Sequence, residues 1–398
     1  MSDDLARWRA EFPILARTVY MINNSLGAMP RQTAQHLVEY ANAWATRGVR
    51  AWEERWWEMP LEIGNKVARI IGAPSGTVSM HENVTTAHLV ALSTVQPSAA
   101  RRRIVCTAMD FPSVVYLARA QQRSGFELHV VPAGDDLTVP TDRILEAIDE
   151  RTAVVAVSHV LFRTSYILDA AAIARRARDV GAVSILDTYQ SAGIIPVDVS
   201  ELGVDFAVGG CLKWLCGGPG NAFLYTRPDR LRAARPAFTG WLAQRKPFDF
   251  EIASDDLPSL RADAMHMMNG TPAIPAYYAA IAGLDTIAEV GVARIRARSR
   301  QLTARLLALV DEHGFTSAAT RDPDRLAGTV AVNVPNALAV ARTLKARDFV
   351  VDYRPPVGIR ISPHFYNTLD EIERTVAEIQ SIVDTRDYAT DAVRSVVT

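Results

Sequence analysis

Short apolar runs recur through the middle of the chain at Ile104–Ala108, Leu128–Val131, Ala153–Val157, Val183–Leu186, Phe206–Val208 and Ala222–Tyr225. Segments with helical spacing, such as Thr141–Asp149 and Ala170–Val180, separate several of them. This alternation predicts an α/β fold with a mostly parallel sheet, because a parallel connection needs a crossover and the crossover helix buries the face it crosses. Ahead of this block the pattern predicts a strand over Thr18–Ile22, a polar turn at Asn23–Gly27, and helices over Pro30–Arg47 and Pro60–Ile71. From Gly283 onward the texture changes. A long helix over Val292–Glu312 precedes strands over Thr329–Val334, Val350–Tyr353 and Gly358–Ser362, and a helix over Leu369–Val383 closes the chain. Phe238–Pro275 has no clear period and is predicted as a long connection.

The chain has 398 residues, more than one core fills comfortably. The expected organisation is a large domain over 31–282 and a smaller α+β domain over 283–398, with residues 1–30 forming the N-terminal segment of the small one. A formal charge of −1 gives no basic excess to attract a nucleic acid or a membrane surface. No apolar run approaches the roughly 18 residues of a membrane span. Met1–Glu11 mixes charges without an apolar core, so no signal peptide is expected. Three cysteines without metal-type spacing predict no metal site and a reducing, cytoplasmic compartment.

Only four of the 43 basic residues are lysines: Lys66, Lys213, Lys246 and Lys345. Lys66, Lys246 and Lys345 have polar or charged neighbours. Lys213 follows an apolar strand and is flanked by Gly209, Gly210, Cys211, Leu212, Trp214 and Leu215. Poor hydration there would lower its pKa and make it a nucleophile for a Schiff base; the alternative is a snorkelling lysine. Asp187 is the first polar group beyond Val183–Leu186 and calls for a cationic partner. A pyridinium nitrogen would serve, as would a structural ion pair, and an N-cap role is a third reading. Gln190 lies three residues on. Val84 and Thr85 open the helical run Ala87–Leu92, a place for an anion or for simple capping. Arg360, between Ile359 and Ile361, presents a planar fork to a carboxylate or to a structural partner. Taken together, a nucleophilic amine, an acid for a ring nitrogen, a phosphate site and a carboxylate clamp are what pyridoxal-phosphate chemistry on an α-amino acid requires.

Nearly the whole chain resembles the class V branch of fold-type-I pyridoxal-phosphate enzymes, and within it the kynureninase-like branch. The resemblance is carried by Asp110-Phe111-Pro112-Ser113, Leu186–Gly193, Gly203–Ala207, Leu212–Gly220, Gly240-Trp241, Gly270-Thr271-Pro272 and Gly358–Asn367. It implies a seven-stranded large-domain sheet and pyridoxal 5'-phosphate carried on Lys213. Asp187 would pair with the pyridine nitrogen, Gln190 would face the ring hydroxyl, and Phe111 would stack on the ring. Phosphate would lie at Val84 and Thr85. Trp241 and Thr271 would reach the cofactor from the other subunit of a homodimer with shared active sites. Arg360, with Asn24 and Ser25 in the N-terminal turn, would line the amino-acid substrate.

There are departures too. Leu212 stands where kynureninases carry Tyr and many class V transaminases and desulfurases carry His. Val114 and Gln190 replace an acid and a His of kynureninases. No cysteine follows Cys216, which argues against desulfurase chemistry. The implied reaction is kynureninase-like cleavage at Cβ of an L-α-amino acid, distinct from kynurenine hydrolysis itself. The alternatives are transamination, epimerisation or, in another class, a non-catalytic dimeric binding module. A nicotinamide enzyme is not expected, since no Gly-x-Gly-x-x-Gly opens a helix after a first strand.

Overall fold

The structure is a computed structural model that describes residues 5–249 and 260–388. The first strands along the chain are β1 (Val19–Tyr20), β2 (Val78–His81), β3 (Arg103–Thr107), β4 (Glu127–Val131), β5 (Thr152–Ser158), β6 (Val183–Asp187), β7 (Phe206–Gly210) and β8 (Ala222–Thr226). Between and around them run α1 (Thr33–Arg47), α2 (Met59–Ile70), α3 (Val84–Leu92), α4 (Pro112–Ala120), α5 (Thr141–Ala147), α6 (Ala170–Asp179), α7 (Val199–Leu202), α8 (Pro228–Ala233) and α9 (Ile274–Val290). The C-terminal part adds α10 (Val292–Glu312), β9 (Val330–Val332), α11 (Ala337–Ala346), β10 (Phe349–Val350), β11 (Asp352–Arg354), β12 (Gly358–Ile361) and α12 (Leu369–Thr385).

Seven strands form one sheet in the order β2-β8-β7-β6-β5-β3-β4. All neighbours are parallel except β8, which runs antiparallel to both β2 and β7. Strands β5 and β6 are buried along their whole length, as a sheet covered on both faces demands. Each fully buried Val, Leu or Ile there contributes about 1.5–3 kcal/mol. The pattern of the sequence did not announce β2. Its residues alternate Val78-Ser79-Met80-His81 yet all are buried; Ser79 Oγ lies 3.0 Å from His81 Nε2, while His81 Nδ1 is buried without a hydrogen-bond partner in the protein.

The C-terminal sheet has the order β11-β12-β9, antiparallel throughout, with Asp352 directly opposite Arg360. Strand β1 pairs in parallel with β10, and Ile22 bridges to Ser362. Val19 and Met21 accordingly join the apolar cluster of α10, α12 and the C-terminal sheet. Helix α12 opens with a capping box at Thr368 and Glu371, legible in Thr368-Leu369-Asp370-Glu371.

The expected break between 282 and 283 falls inside α9, and the chain turns only at Gly291. Helix α9 is apolar on nearly every side, so it has no amphipathic stripe to betray it. Gly283 is a packing residue there: a Cβ would sit 2.4 Å from the carbonyl oxygens of Leu215 and Cys216. Between 238 and 275 the described residues form short 3-10 turns at Trp241–Ala243, Pro247–Asp249 and Ala264–Met267, while 250–259 lie outside the described residues. Among the described residues no helix is long and apolar enough to cross a membrane.

Candidate active site

The C-terminal ends of β5, β6 and β7 converge on a cavity of about 200 Å³. Its walls include Ser158 from the end of β5, Asp187 from the end of β6, and Leu212 and Lys213 just beyond β7. Ligand sites of open parallel sheets gather at such strand ends. Asp110 ties the C-terminal ends of β3 and β5 together. Its Oδ2 accepts the Thr107 N–H at 2.6 Å and its Oδ1 accepts the Ser158 N–H at 2.6 Å.

Lys213 and Asp187 thus line the same space, with Phe111, Val84 and Gln190. The Lys213 ammonium lies 4.4 Å from the Tyr189 ring centroid and 5.7 Å from that of Phe111. Burial pushes its pKa down from the ordinary lysine value, with Asp187 acting against that shift. Burial pushes the Asp187 carboxyl up, opposed by the Tyr189 N–H that donates to Oδ1 at 2.8 Å and by Lys213. The nearby Asp110 carboxylate raises it further. A buried acid in that condition is stabilised by any additional cation brought against it.

The remaining predicted residues divide by position. At the start of α3 the cap is Asn83, whose Oδ1 accepts the Thr86 N–H at 2.9 Å; Thr85 does not cap and is exposed. The first-turn N–H groups beyond it have no acceptor within the helix, and Val84 stands on the cavity wall. Gln190 is committed on both ends of its amide: Oε1 accepts from Trp214 Nε1 at 2.9 Å, and Nε2 donates to the Asn24 carbonyl at 3.0 Å. It therefore fastens the N-terminal turn to the lysine loop. Gly27 does the same through its N–H to the Leu212 carbonyl at 2.9 Å, and a Cβ at Gly27 would stand 2.1 Å from the Lys213 carbonyl oxygen. Asn24 is buried with neither amide atom hydrogen-bonded to the protein, and Ser25 is half-buried in the same turn.

Arg360 is held as a buried cross-strand pair. Its Nε donates to Asp352 Oδ1 at 2.8 Å, its Nη2 donates to Oδ2, and its Nη1 donates to the Phe162 carbonyl at 2.5 Å. Three of its five N–H donors are engaged and two remain. Trp241 and Thr271 are not on this cavity of their own chain: Trp241 packs edge-on against Trp57 with centroids 5.4 Å apart, and Thr271 is exposed. Tyr189, Phe162 and Val160 line the cavity without having been singled out from the sequence. Tyr189 was findable, since it follows Asp187 by two residues at a strand end. Phe162 was not, because its loop carries no period.

Pyridoxal phosphate fits these residues: an amine depressed by burial, an under-compensated buried acid, an aromatic face and a helix N-terminus all border one cavity. This fold and site define a fold-type-I pyridoxal-phosphate-dependent enzyme. The chain belongs to the family Aminotransferase class-V, which it matches over residues 19–375. It is 31% identical over 373 residues to the uncharacterized aminotransferase YcbU of Bacillus subtilis, covering 94% of this chain and 96% of that protein. It is 29% identical over 401 residues to a kynureninase of Geobacillus thermodenitrificans, covering 97% and 93%. A solved cysteine desulfurase from Thermococcus onnurineus NA1 superposes with a TM-score of 0.83 at 23% identity, over 95% of this chain and 98% of that one. The cystine C-S lyase C-DES, solved with glycine covalently linked to its PLP cofactor, gives a TM-score of 0.83 at 21% identity over 96% and 99%.

Proposed function

We propose that this chain acts on an L-α-amino acid by cleaving a bond at Cβ, in the manner of the kynureninase-like branch. The observation that carries the reading is the placement of the Lys213 amine and the Asp187 carboxylate on one cavity beside the Phe111 ring. When bound, the cofactor supplies an electron sink for negative charge at the substrate α-carbon. The residues do the rest. The Lys213 amine would hold the cofactor and, when not so engaged, would take the proton from the substrate Cα. Asp187, under-compensated in its buried site, holds the ring nitrogen in its protonated form. Phe111 covers one face of the ring, and the first turn of α3 at Val84 and Thr85 binds the phosphate. The remaining donors of Arg360 orient the substrate carboxylate. Gln190 and Gly27 seat the Asn24-Ser25 turn over the lysine loop.

We further propose a homodimer in which Trp241 and Thr271 reach the site of the second copy, acting in the cytoplasm, with a division between the two parts of the chain near Gly291 rather than at 283. The separate C-terminal apolar cluster supports that division. Leu212 favours a second reading, transamination, because the position just before Lys213 supplies no hydroxyl or imidazole to assist cleavage.

Purified protein incubated with pyridoxal phosphate should turn yellow and bleach with borohydride, with the label mapping to Lys213 by mass spectrometry; Lys213→Ala should abolish the label. Single turnover with L-amino acids then separates the two reactions. Pyruvate or alanine with intact cofactor supports Cβ cleavage, and pyridoxamine phosphate supports transamination. Protein that stays colourless overturns both.

A further inference from the structure

Position 212 brings no polar group to the lysine that follows it, so what steadies the Lys213 amine comes from elsewhere. Two rings of the cavity wall lie under it, and Tyr189 is the closer: Nζ stands 4.4 Å from its centroid, against 5.7 Å for Phe111. A cation–π contact reaches to about 6 Å and gains strength where water is excluded. Tyr189 is fixed at both ends. Its N–H donates to Asp187 Oδ1 at 2.8 Å. Its ring lies on the backbone of Gly210 at the end of β7, where a Cβ would stand 2.5 Å from ring Cζ and 2.6 Å from the hydroxyl oxygen. Glycine at 210 thus leaves the room that the ring fills. Burial pushes the hydroxyl above the ordinary tyrosine value, so the ring stays neutral. The charges around the amine give a neutral face its use. Asp187 and Asp352 favour the ammonium, while Arg360 and Arg354 oppose it. With Asp187 committed to a ring nitrogen, Asp352 alone would oppose the two guanidiniums. A further carboxylate would keep the amine charged and unable to take a proton; a ring face attracts the ammonium more weakly and leaves the neutral amine usable.

We infer that Tyr189 is the positioning residue of the Lys213 amine, its ring face holding the ammonium that forms when the amine takes a proton from the substrate. The inference rests on the proposed amino-acid reaction and adds a residue to it. In that step the proton passes from Cα to Nζ, and the electron pair of the broken C–H bond stays on the substrate side. The π face carries the role, and the hydroxyl does not.

The test has two arms and compares wild type with Tyr189→Phe, Tyr189→Leu and Tyr189→Met. Phenylalanine keeps the face and removes the hydroxyl; leucine and methionine keep apolar volume and remove the face. In the first arm, full-length protein freed of pyridoxal phosphate is labelled with a small acylating reagent across a pH series, and the Lys213 peptide is followed by mass spectrometry. Tyr189→Leu and Tyr189→Met should each lower the labelling midpoint by about 1 unit, a tenfold loss in the stability of the charged form. Tyr189→Phe should stay within about 0.3 unit of wild type. Loosened packing alone acts the other way, since water entering the cavity relieves the desolvation that depresses the amine and raises the midpoint. In the second arm, protein loaded with pyridoxal phosphate exchanges the α-proton of L-alanine in deuterium oxide, read by NMR. Exchange should be roughly tenfold slower in Tyr189→Leu and Tyr189→Met than in Tyr189→Phe. A midpoint unmoved or raised in the aliphatic variants overturns the inference. So does a Tyr189→Phe midpoint that falls as far as theirs, or equal exchange in all three variants. Two aliphatic variants are used so that one folding poorly leaves the other to decide. Wild-type protein that takes up no pyridoxal phosphate sinks the proposed reaction, while the labelling arm still decides whether the ring face holds the amine.

Discussion

Asp352→Asn tests how the arginine beside the site is held. Asp352 and Arg360 are opposed in register on β11 and β12, so their side chains leave the same face and meet. Their side chains are 1% and 3% exposed, and two of the contacts between them are charge-assisted hydrogen bonds. Removing the acid leaves a guanidinium buried without its counter-charge, which costs about 3–5 kcal/mol. At about 2.1 cal/mol/K per residue, a chain of 398 residues unfolds with an entropy near 0.8 kcal/mol/K, so the melting temperature should fall by about 4–6 °C. Replacing the whole pair by apolar residues, Asp352→Leu with Arg360→Met, removes the stranded charge and should return most of that loss. The assay is urea unfolding of wild type, Asp352→Leu, Arg360→Met and the double variant, closed as a double-mutant cycle, with Asp352→Asn measured alongside. A coupling energy under about 1 kcal/mol, the range of an exposed pair, would refute the claim that burial makes this contact strong.

Three further outcomes concern the lysine loop and its surroundings. Gly27→Ala places a Cβ 2.1 Å from the Lys213 carbonyl oxygen and 3.0 Å from Cys216 Cα, backbone atoms that cannot step aside alone. We expect a loss of about 1–3 kcal/mol together with weaker cofactor retention; a urea midpoint equal to wild type would show that the turn is not seated on the loop. The Lys213 amine should label with an amine-reactive acylating reagent at a midpoint below the ordinary lysine value of 10.5, because burial disfavours its charged form. The unfolded lysine holds its proton to higher pH than the folded one, so this group makes stability rise as pH climbs from the depressed folded value toward 10.5. Asp187→Asn removes the attraction that opposes the shift and should move the labelling midpoint lower still. A midpoint that moves upward contradicts the proximity of the two groups.

Much of the fold was legible in the chain. The apolar runs at Val183–Leu186, Phe206–Val208 and Ala222–Tyr225 became β6, β7 and β8, and the change from period two to helical spacing located α6, α10 and α12. Strand β2 and helix α9 were missed for opposite reasons. The polar residues of β2 are buried, with Ser79 bonded to His81 Nε2, so its alternation did not mark an exposed face. Helix α9 is apolar on nearly every side, with only Asp285 and Glu289 charged, so it had no broad polar face to mark its period, and Gly283 looked like a break. The central acid and amine were legible because a polar residue directly after an apolar strand must lie at the strand end.

By itself, then, the sequence determined which residues sit at the C-terminal ends of the sheet, because strand length and burial are local properties of the chain. It could not determine what each of those residues touches. That Gln190 is tied to Trp214 and Asn24, and that Arg360 is paired with Asp352 and reaches the Phe162 carbonyl, are matters of register and loop packing across separations of up to about two hundred residues. Such contacts depend on where distant strands align, and only the assembled sheet with its C-terminal partner decides that alignment.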